Sequence, residues 1–143
     1  MNNQHFHLYK GLKVLKSSHP DVRKIKRQQS GHSAHGNKVW RSSFVMLDYL
    51  ETYPLEKGSS ALEIGCGWGL ASLYLNKIQD INVKGIDIDP SVKPYFELQN
   101  NINWDESRRL SQIYLQSHSC VSTMGKMAEG RGSAMPLLAG ENE

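Results

Sequence analysis

The apolar positions of this chain change period several times, and each change marks an element. Trp40, Phe44, Leu47 and Leu50 recur at three- and four-residue steps, which predicts a helix over 39–50 with Ser42 or Ser43 near its start and Pro54 closing it. Lys57-Gly58-Ser59 reads as a loop, and Ser60-Ala61-Leu62-Glu63-Ile64 as a short buried strand running into the glycine cluster Gly65-Cys66-Gly67-Trp68-Gly69. Helical spacing resumes at Leu70, Leu73, Tyr74 and Ile78, so a helix is expected from Gly69 to about Lys77. Ile81 to Asp87 is a second strand, ended by Asp87, Asp89 and Pro90. Ser91 is then expected to cap a further helix carrying Val92, Tyr95, Phe96 and Leu98, with Pro94 tolerated in its first turn.

Strand, helix, strand, helix is the α/β pattern, and a crossover helix between strands implies parallel pairing. A doubly wound parallel sheet is expected, and an incomplete one. Past Asn103 the signals fade: 104–109 is polar, and Gln112-Ile113-Tyr114-Leu115-Gln116 is the one later segment that fits a strand. Residues 117–143 carry scattered glycine, serine and methionine without a sustained period, which reads as an irregular or disordered tail. No internal repeat is present.

At 143 residues, 38% hydrophobic and 22% charged, the chain has the size and make-up of one soluble domain. It holds no run of about 18 apolar residues, and its start lacks both a charged and an apolar signal region, so no membrane association and a cytoplasmic location are expected. Cys66 and Cys120 are too few for a disulfide framework. The net charge of +3 is unevenly placed, with eight Lys or Arg in residues 1–40 against the single acid Asp21. Without aromatic interleaving or a nucleic-acid motif, residues 1–38 read as a solvated, partly mobile basic arm, and nucleic-acid binding is not expected. His5, His7, His32 and His35 have no cysteine or carboxylate at ligand spacing, so no metal site is expected.

The chemistry lies in Glu63-x-Gly65-x-Gly67-x-Gly69 between a strand and a helix, answered by Asp87 at the end of the next strand, 22 residues after Gly65. Glycines let the backbone turn sharply and come close to a bound nucleoside. A carboxylate at the carboxyl end of the neighbouring strand can accept hydrogen bonds from both ribose hydroxyls, and Asp89 ranks second for that role. Nicotinamide and flavin dinucleotides use the same logic, but their fingerprint is Gly-x-Gly-x-x-Gly, and here Leu70 stands where the third glycine belongs. Glu63 beside the loop opposes a pyrophosphate and suits the ammonium and sulfonium charges of S-adenosylmethionine. Cys66 is not expected to be a nucleophile, because methyl transfer from a sulfonium is a direct displacement that needs positioning and desolvation.

Residues 61–70, Ala-Leu-Glu-Ile-Gly-Cys-Gly-Trp-Gly-Leu, resemble motif I of the class I S-adenosylmethionine-dependent methyltransferases, and Val83-Lys84-Gly85-Ile86-Asp87-Ile88-Asp89-Pro90 resembles their second-strand motif. The segments 39–50 and 98–103 are similar to the protein-lysine methyltransferase-like branch of that superfamily. The resemblance implies a Rossmann-like cofactor half over 39–116, with Trp40 lining the pocket, Glu63, Gly65, Cys66, Gly67 and Gly69 at the methionyl end, Asp87 at the ribose, and Ile88 also among the cofactor-binding residues. The acceptor is unnamed; a protein side chain or a small molecule fits, and the branch points to the former. The resemblance covers 36–103 and then stops, because the Asp-rich, acceptor-facing segment of the family has no match in 104–143. A methyltransferase is the first expectation. A non-catalytic cofactor-binding relic or truncated gene product is the second, and a nicotinamide-dependent oxidoreductase fragment the third. Taken alone, the chain is expected to be a poor catalyst.

Overall fold

A computed structural model describes residues 5–29, 36–104 and 113–117. The chain opens with an antiparallel hairpin, β1 (Phe6–Tyr9) and β2 (Leu12–Leu15), followed by α1 (Pro20–Gln28) and α2 (Arg41–Thr52). Then come β3 (Ser60–Ile64), α3 (Leu70–Gln79), β4 (Asn82–Asp87), a 3₁₀ turn (Pro90–Val92), α4 (Lys93–Asn101) and β5 (Ile113–Ser117). The last three strands form one parallel sheet in the order β3-β4-β5, with Ala61 opposite Val83 and Gly85 opposite Leu115. The molecule is therefore mixed α/β with a small parallel sheet, and the strand expected over 112–116 is found as the third strand over Ile113–Ser117. The tail from residue 118 onward lies outside the described residues. Among the described residues no helix is long and apolar enough to cross a membrane.

Over its described residues, 5–29 and 36–38, the basic arm is not a solvated extension. Lys10 and Gly11 sit at positive φ of 46° and 79°, the geometry of a tight hairpin turn whose twist matches the flanking strands. The alternation across that turn then carries Leu12 and Val14 into the cluster formed by Leu47, Leu50, Leu70 and Leu73. Leu15 and Val22 join Trp68 and Tyr95, whose rings stack 4.9 Å apart. The charge that suggests an arm lies on the outward positions, while the inward ones are apolar. Lys10 bridges Asp48 and Glu51 of α2, and the Tyr9 hydroxyl donates to Asp48 at 2.6 Å.

β2 is held on its outer side by amide side chains of α4 and its carboxyl end. Leu15 N–H donates to Gln99 Oε1 at 2.9 Å and Lys13 N–H to Asn103 Oδ1 at 2.9 Å, while both amide nitrogens donate back to the Lys13 carbonyl. Two residues one helical turn apart thus stand in for the neighbouring strand that β2 lacks. Gln99 is fully buried. Gln99→Ala is therefore expected to cost about 2–4 kcal/mol of stability, since it leaves a buried N–H and carbonyl short of partners. Urea unfolding of the variant measures it, and a loss under about 0.5 kcal/mol, the size of an ordinary surface change, would deny the amide this role.

Two further expectations change. The turn before α4 is capped by Asp89, whose carboxylate accepts from Ser91 N–H at 2.9 Å; among the described residues the Ser91 hydroxyl has no partner. And β3 is buried on one face only. Ala61 and Glu63 face α3, but Leu62 and Ile64 are 54% and 68% exposed. The crossovers β3-α3-β4 and β4-α4-β5 step across the sheet in the same direction, so right-handed connection places both helices on one side. Among the described residues, β3 is an edge strand with nothing over its second face.

Candidate functional site

The strand β3 delivers Glu63 and then Gly65, Gly67 and Gly69, all at positive φ (73°, 52° and 74°), to the start of α3. Alternate residues in the left-handed region fold the loop back over the strand ends, and a side chain at each would strain the turn. The Gly65 and Cys66 N–H groups donate to the Ile86 carbonyl at 2.8 and 3.1 Å, which ties the loop to β4. Beside Gly65 and Gly67 the space is open, whereas a Cβ on Gly69 would lie 2.3 Å from the Phe96 ring. The first two glycines leave room for a ligand and the third makes room for the core.

Glu63 carries two tasks. Its Oε2 accepts from Ser72 N–H at 2.9 Å and from the Ser72 hydroxyl. Gly69 is the N-cap of α3 and has no side chain to offer, so Glu63 caps the helix from the adjacent strand and places its negative charge at the positive end of the helix dipole. Burial raises its carboxyl above the ordinary range; the two Ser72 hydrogen bonds pull it back, and the Asp87 charge pushes it up again. Asp87 is turned toward the loop: its Oδ2 accepts from Gly67 N–H at 2.8 Å and its Oδ1 from Asp89 N–H at 2.9 Å. Two carboxylates therefore flank one glycine loop.

A cavity of about 400 Å³ opens above this loop, between β3 and α2, within the size range of small-molecule sites. Its lining includes Trp40, Glu63, Gly65, Cys66 and Gly67 from the set expected to bind cofactor. Gly69, Asp87 and Ile88 are not in that lining. Gly69 packs against Phe96, Asp87 reaches the site through Gly67, and Ile88 is 74% exposed past the strand end. Cys66 is buried, its Sγ against Gly85, and burial pushes its thiol far above the ordinary value, which leaves no thiolate for chemistry. Trp68 points into the core, donating through Nε1 to the Gly36 carbonyl at 2.8 Å. Among the described residues no group of three or more His, Cys, Asp or Glu is placed to hold a metal ion.

The structure adds residues that motif reading does not reach. Lys38 lies over the Trp40 ring at 4.0 Å and lines the cavity, as do Ser42, Ser43 and Met46 of α2. Lys38, Val39 and Trp68 also line an adjoining cavity of about 410 Å³ bounded by His7, Ser17 and Ser18. Ser72 is also missed by motif reading; the available signal is its place as the third residue of α3, where a first-turn N–H lacks an intrahelical partner and can take a carboxylate.

No family model matches this chain. Over 86 residues it is 31% identical to the ribosomal protein L11 methyltransferase of Janthinobacterium sp. (strain Marseille). The match takes in 59% of this chain and 27% of that protein, so the chain spans about a quarter of the length of its curated relative.

Proposed function

We propose that this chain binds S-adenosylmethionine and serves an S-adenosylmethionine-dependent methyltransferase, its small sheet being part of a Rossmann-like fold. The observation that carries the reading is the pairing of Glu63 and Asp87 about a glycine loop that opens onto a cavity. Two carboxylates make that loop hostile to a pyrophosphate and receptive to a cation, and S-adenosylmethionine brings an ammonium and a sulfonium. The open space beside Gly65 and Gly67 fits the approach of such a ligand to bare backbone. When bound, the cofactor supplies an electrophilic methyl group. The chain's own contribution is to bind and orient: Glu63 takes the ammonium, Trp40 offers an aromatic wall, and Asp87 holds the loop and the ribose. A protein side chain is the proposed acceptor, supported by the resemblance to the protein-lysine branch and by the name of the relative.

Titration calorimetry with S-adenosylmethionine, S-adenosylhomocysteine and NAD tests the cofactor. The adenosyl ligands are expected to bind and NAD not to; tight NAD binding alone would overturn the reading in favour of an oxidoreductase fragment. Asp87→Ala is expected to weaken adenosyl binding by about 1.5–3 kcal/mol, the range for hydrogen bonds to a charged group. Unchanged affinity in a folded variant would remove Asp87 from the site.

The uncovered face of β3 favours a second reading, in which the chain holds the cofactor but does not complete catalysis alone. Binding with no methyl transfer to any protein acceptor supports it, and brisk turnover by the purified chain rules it out.

A further inference from the structure

Helix α2 is apolar on two sides. Phe44, Leu47 and Leu50 face the core, and its acids Asp48 and Glu51 are engaged by Tyr9 and Lys10 of the hairpin. A second stripe, Val45, Met46, Tyr49 and Tyr53, follows the same three- and four-residue spacing but points outward, at 66%, 48%, 57% and 61% exposure. The Tyr49 and Tyr53 rings lie against each other at 4.9 Å, so the stripe is pre-ordered. It continues through Met46 to Leu62 and Ile64 of β3, since all three line the candidate cavity. At their fractional exposures these six side chains leave on the order of 700 Å² accessible, more than a monomer ordinarily shows in one apolar patch and close to the about 800 Å² that one partner gives to a standard interface.

We propose that this surface is the interface of a two-fold dimer of the chain, with the α2 stripes packed against each other and the second copy closing the mouth of the cavity. A helical stripe is self-complementary under two-fold symmetry, because each residue meets the partner's stripe running the opposite way. The helical members of the patch carry no charge, so the α2 stripes meet without like-charge repulsion between them, while the exposed Lys84, beside Leu62 in the sheet register, stands at the β3 end of the patch. Tyrosine and methionine are the residues that interfaces concentrate. Met46, Leu62 and Ile64 belong to both the patch and the cavity wall, so the site is walled on that side only when the second copy is present. Dimerisation and cofactor binding are thereby linked, each strengthening the other by the same factor. The linkage rests on the cofactor reading; the dimer does not.

Sedimentation velocity of the ligand-free chain over about 1–200 µM is expected to show a monomer–dimer equilibrium with a micromolar Kd, as an interface of this size allows. Val45→Glu and Tyr49→Lys lie outside the cavity lining, and each is expected to give a folded monomer throughout that range. With the two-fold axis set between residues 45 and 49, each position 45 meets the partner's position 49, so the two variants mixed in equal amounts are expected to restore the dimer. A wild-type chain that stays monomeric, aggregates without a defined stoichiometry, or whose charged variants fail to pair when mixed would overturn the proposal. Adenosyl affinity is expected to rise about tenfold from the charged variants to the wild-type dimer, a common coupling size. A dimer that binds no adenosyl ligand at any concentration would refute the cofactor reading and leave the interface standing; equal affinity in dimer and monomeric variants would refute the linkage.

Discussion

Gly69→Ala is expected to cost about 2–5 kcal/mol and to disable the candidate site. The backbone at Gly69 has φ of 74°, a conformation that an L side chain adopts at a cost of about 1–2 kcal/mol. The new Cβ would also stand 2.3 Å from Phe96 Cε2 and 2.6 Å from Cδ2, and overpacking of this kind typically adds about 1–3 kcal/mol. Phe96 is buried, so the ring cannot swing into solvent. Relief has to come from moving α4 away from the loop or shifting the start of α3, and the second displaces Ser72 from Glu63. Urea unfolding measures the total. A double-mutant cycle separates its parts: in a Phe96→Leu background, Gly69→Ala should cost only the backbone share of about 1–2 kcal/mol. Strict additivity of the two changes would mean that the Phe96 contact is not the source of the loss.

Glu63→Gln is expected to separate stability from function. The glutamine carbonyl can still accept from Ser72 N–H, so the cap on α3 survives, while the desolvated charge is gone. Because burial raises the Glu63 carboxyl, the folded protein holds that proton more tightly than the unfolded chain does. This contribution to stability is therefore greatest below the unfolded value. It declines as pH rises through the window up to the raised folded value, and the full cost of the buried charge remains above it. At neutral pH the glutamine variant should be as stable as the parent, or about 1 kcal/mol more so. Its affinity for S-adenosylmethionine should nonetheless fall by about 1.5–3 kcal/mol, as the ammonium loses its charged partner. In the parent, the same affinity should drop as pH is lowered through the raised Glu63 value, with no such drop in the variant. Glu63→Ala removes the cap as well and should lose about 1–2 kcal/mol of stability. A glutamine variant that binds as the parent does, with an unaltered pH profile, would leave Glu63 as a helix cap and nothing more.

These two residues show how the loop reads at different distances. The alternating glycines after a strand are visible in the sequence because a local backbone need, positive φ at three positions, has one common residue answer. That Gly65 and Gly67 border open space while Gly69 borders Phe96 is invisible there, since Phe96 lies 27 residues away and reaches the loop only once α4 docks. Glu63 is similar: its place beside the loop is local, but its cap on α3 depends on the crossover that lays the helix across β3.

The periodicities of 3.6 and 2, the turn residues and the spacing from Gly65 to Asp87 were enough for α2, β3, α3, β4 and α4, for parallel pairing, and for an anionic glycine loop at the strand ends. Each of these is a property of neighbouring residues, so the chain encodes it locally. The fate of the basic arm was not local. Net charge made residues 1–38 look solvated, yet Leu12, Val14, Leu15 and Val22 are buried, and the hairpin they belong to is secured by Gln99 and Asn103, more than eighty residues away. Likewise, β3 reads as a buried strand from its apolar run, but burial is a property of what lies opposite. Packing placed α3 over one face of β3 and the hairpin against one side of α2, and it left Leu62, Ile64, Val45 and Tyr49 facing outward.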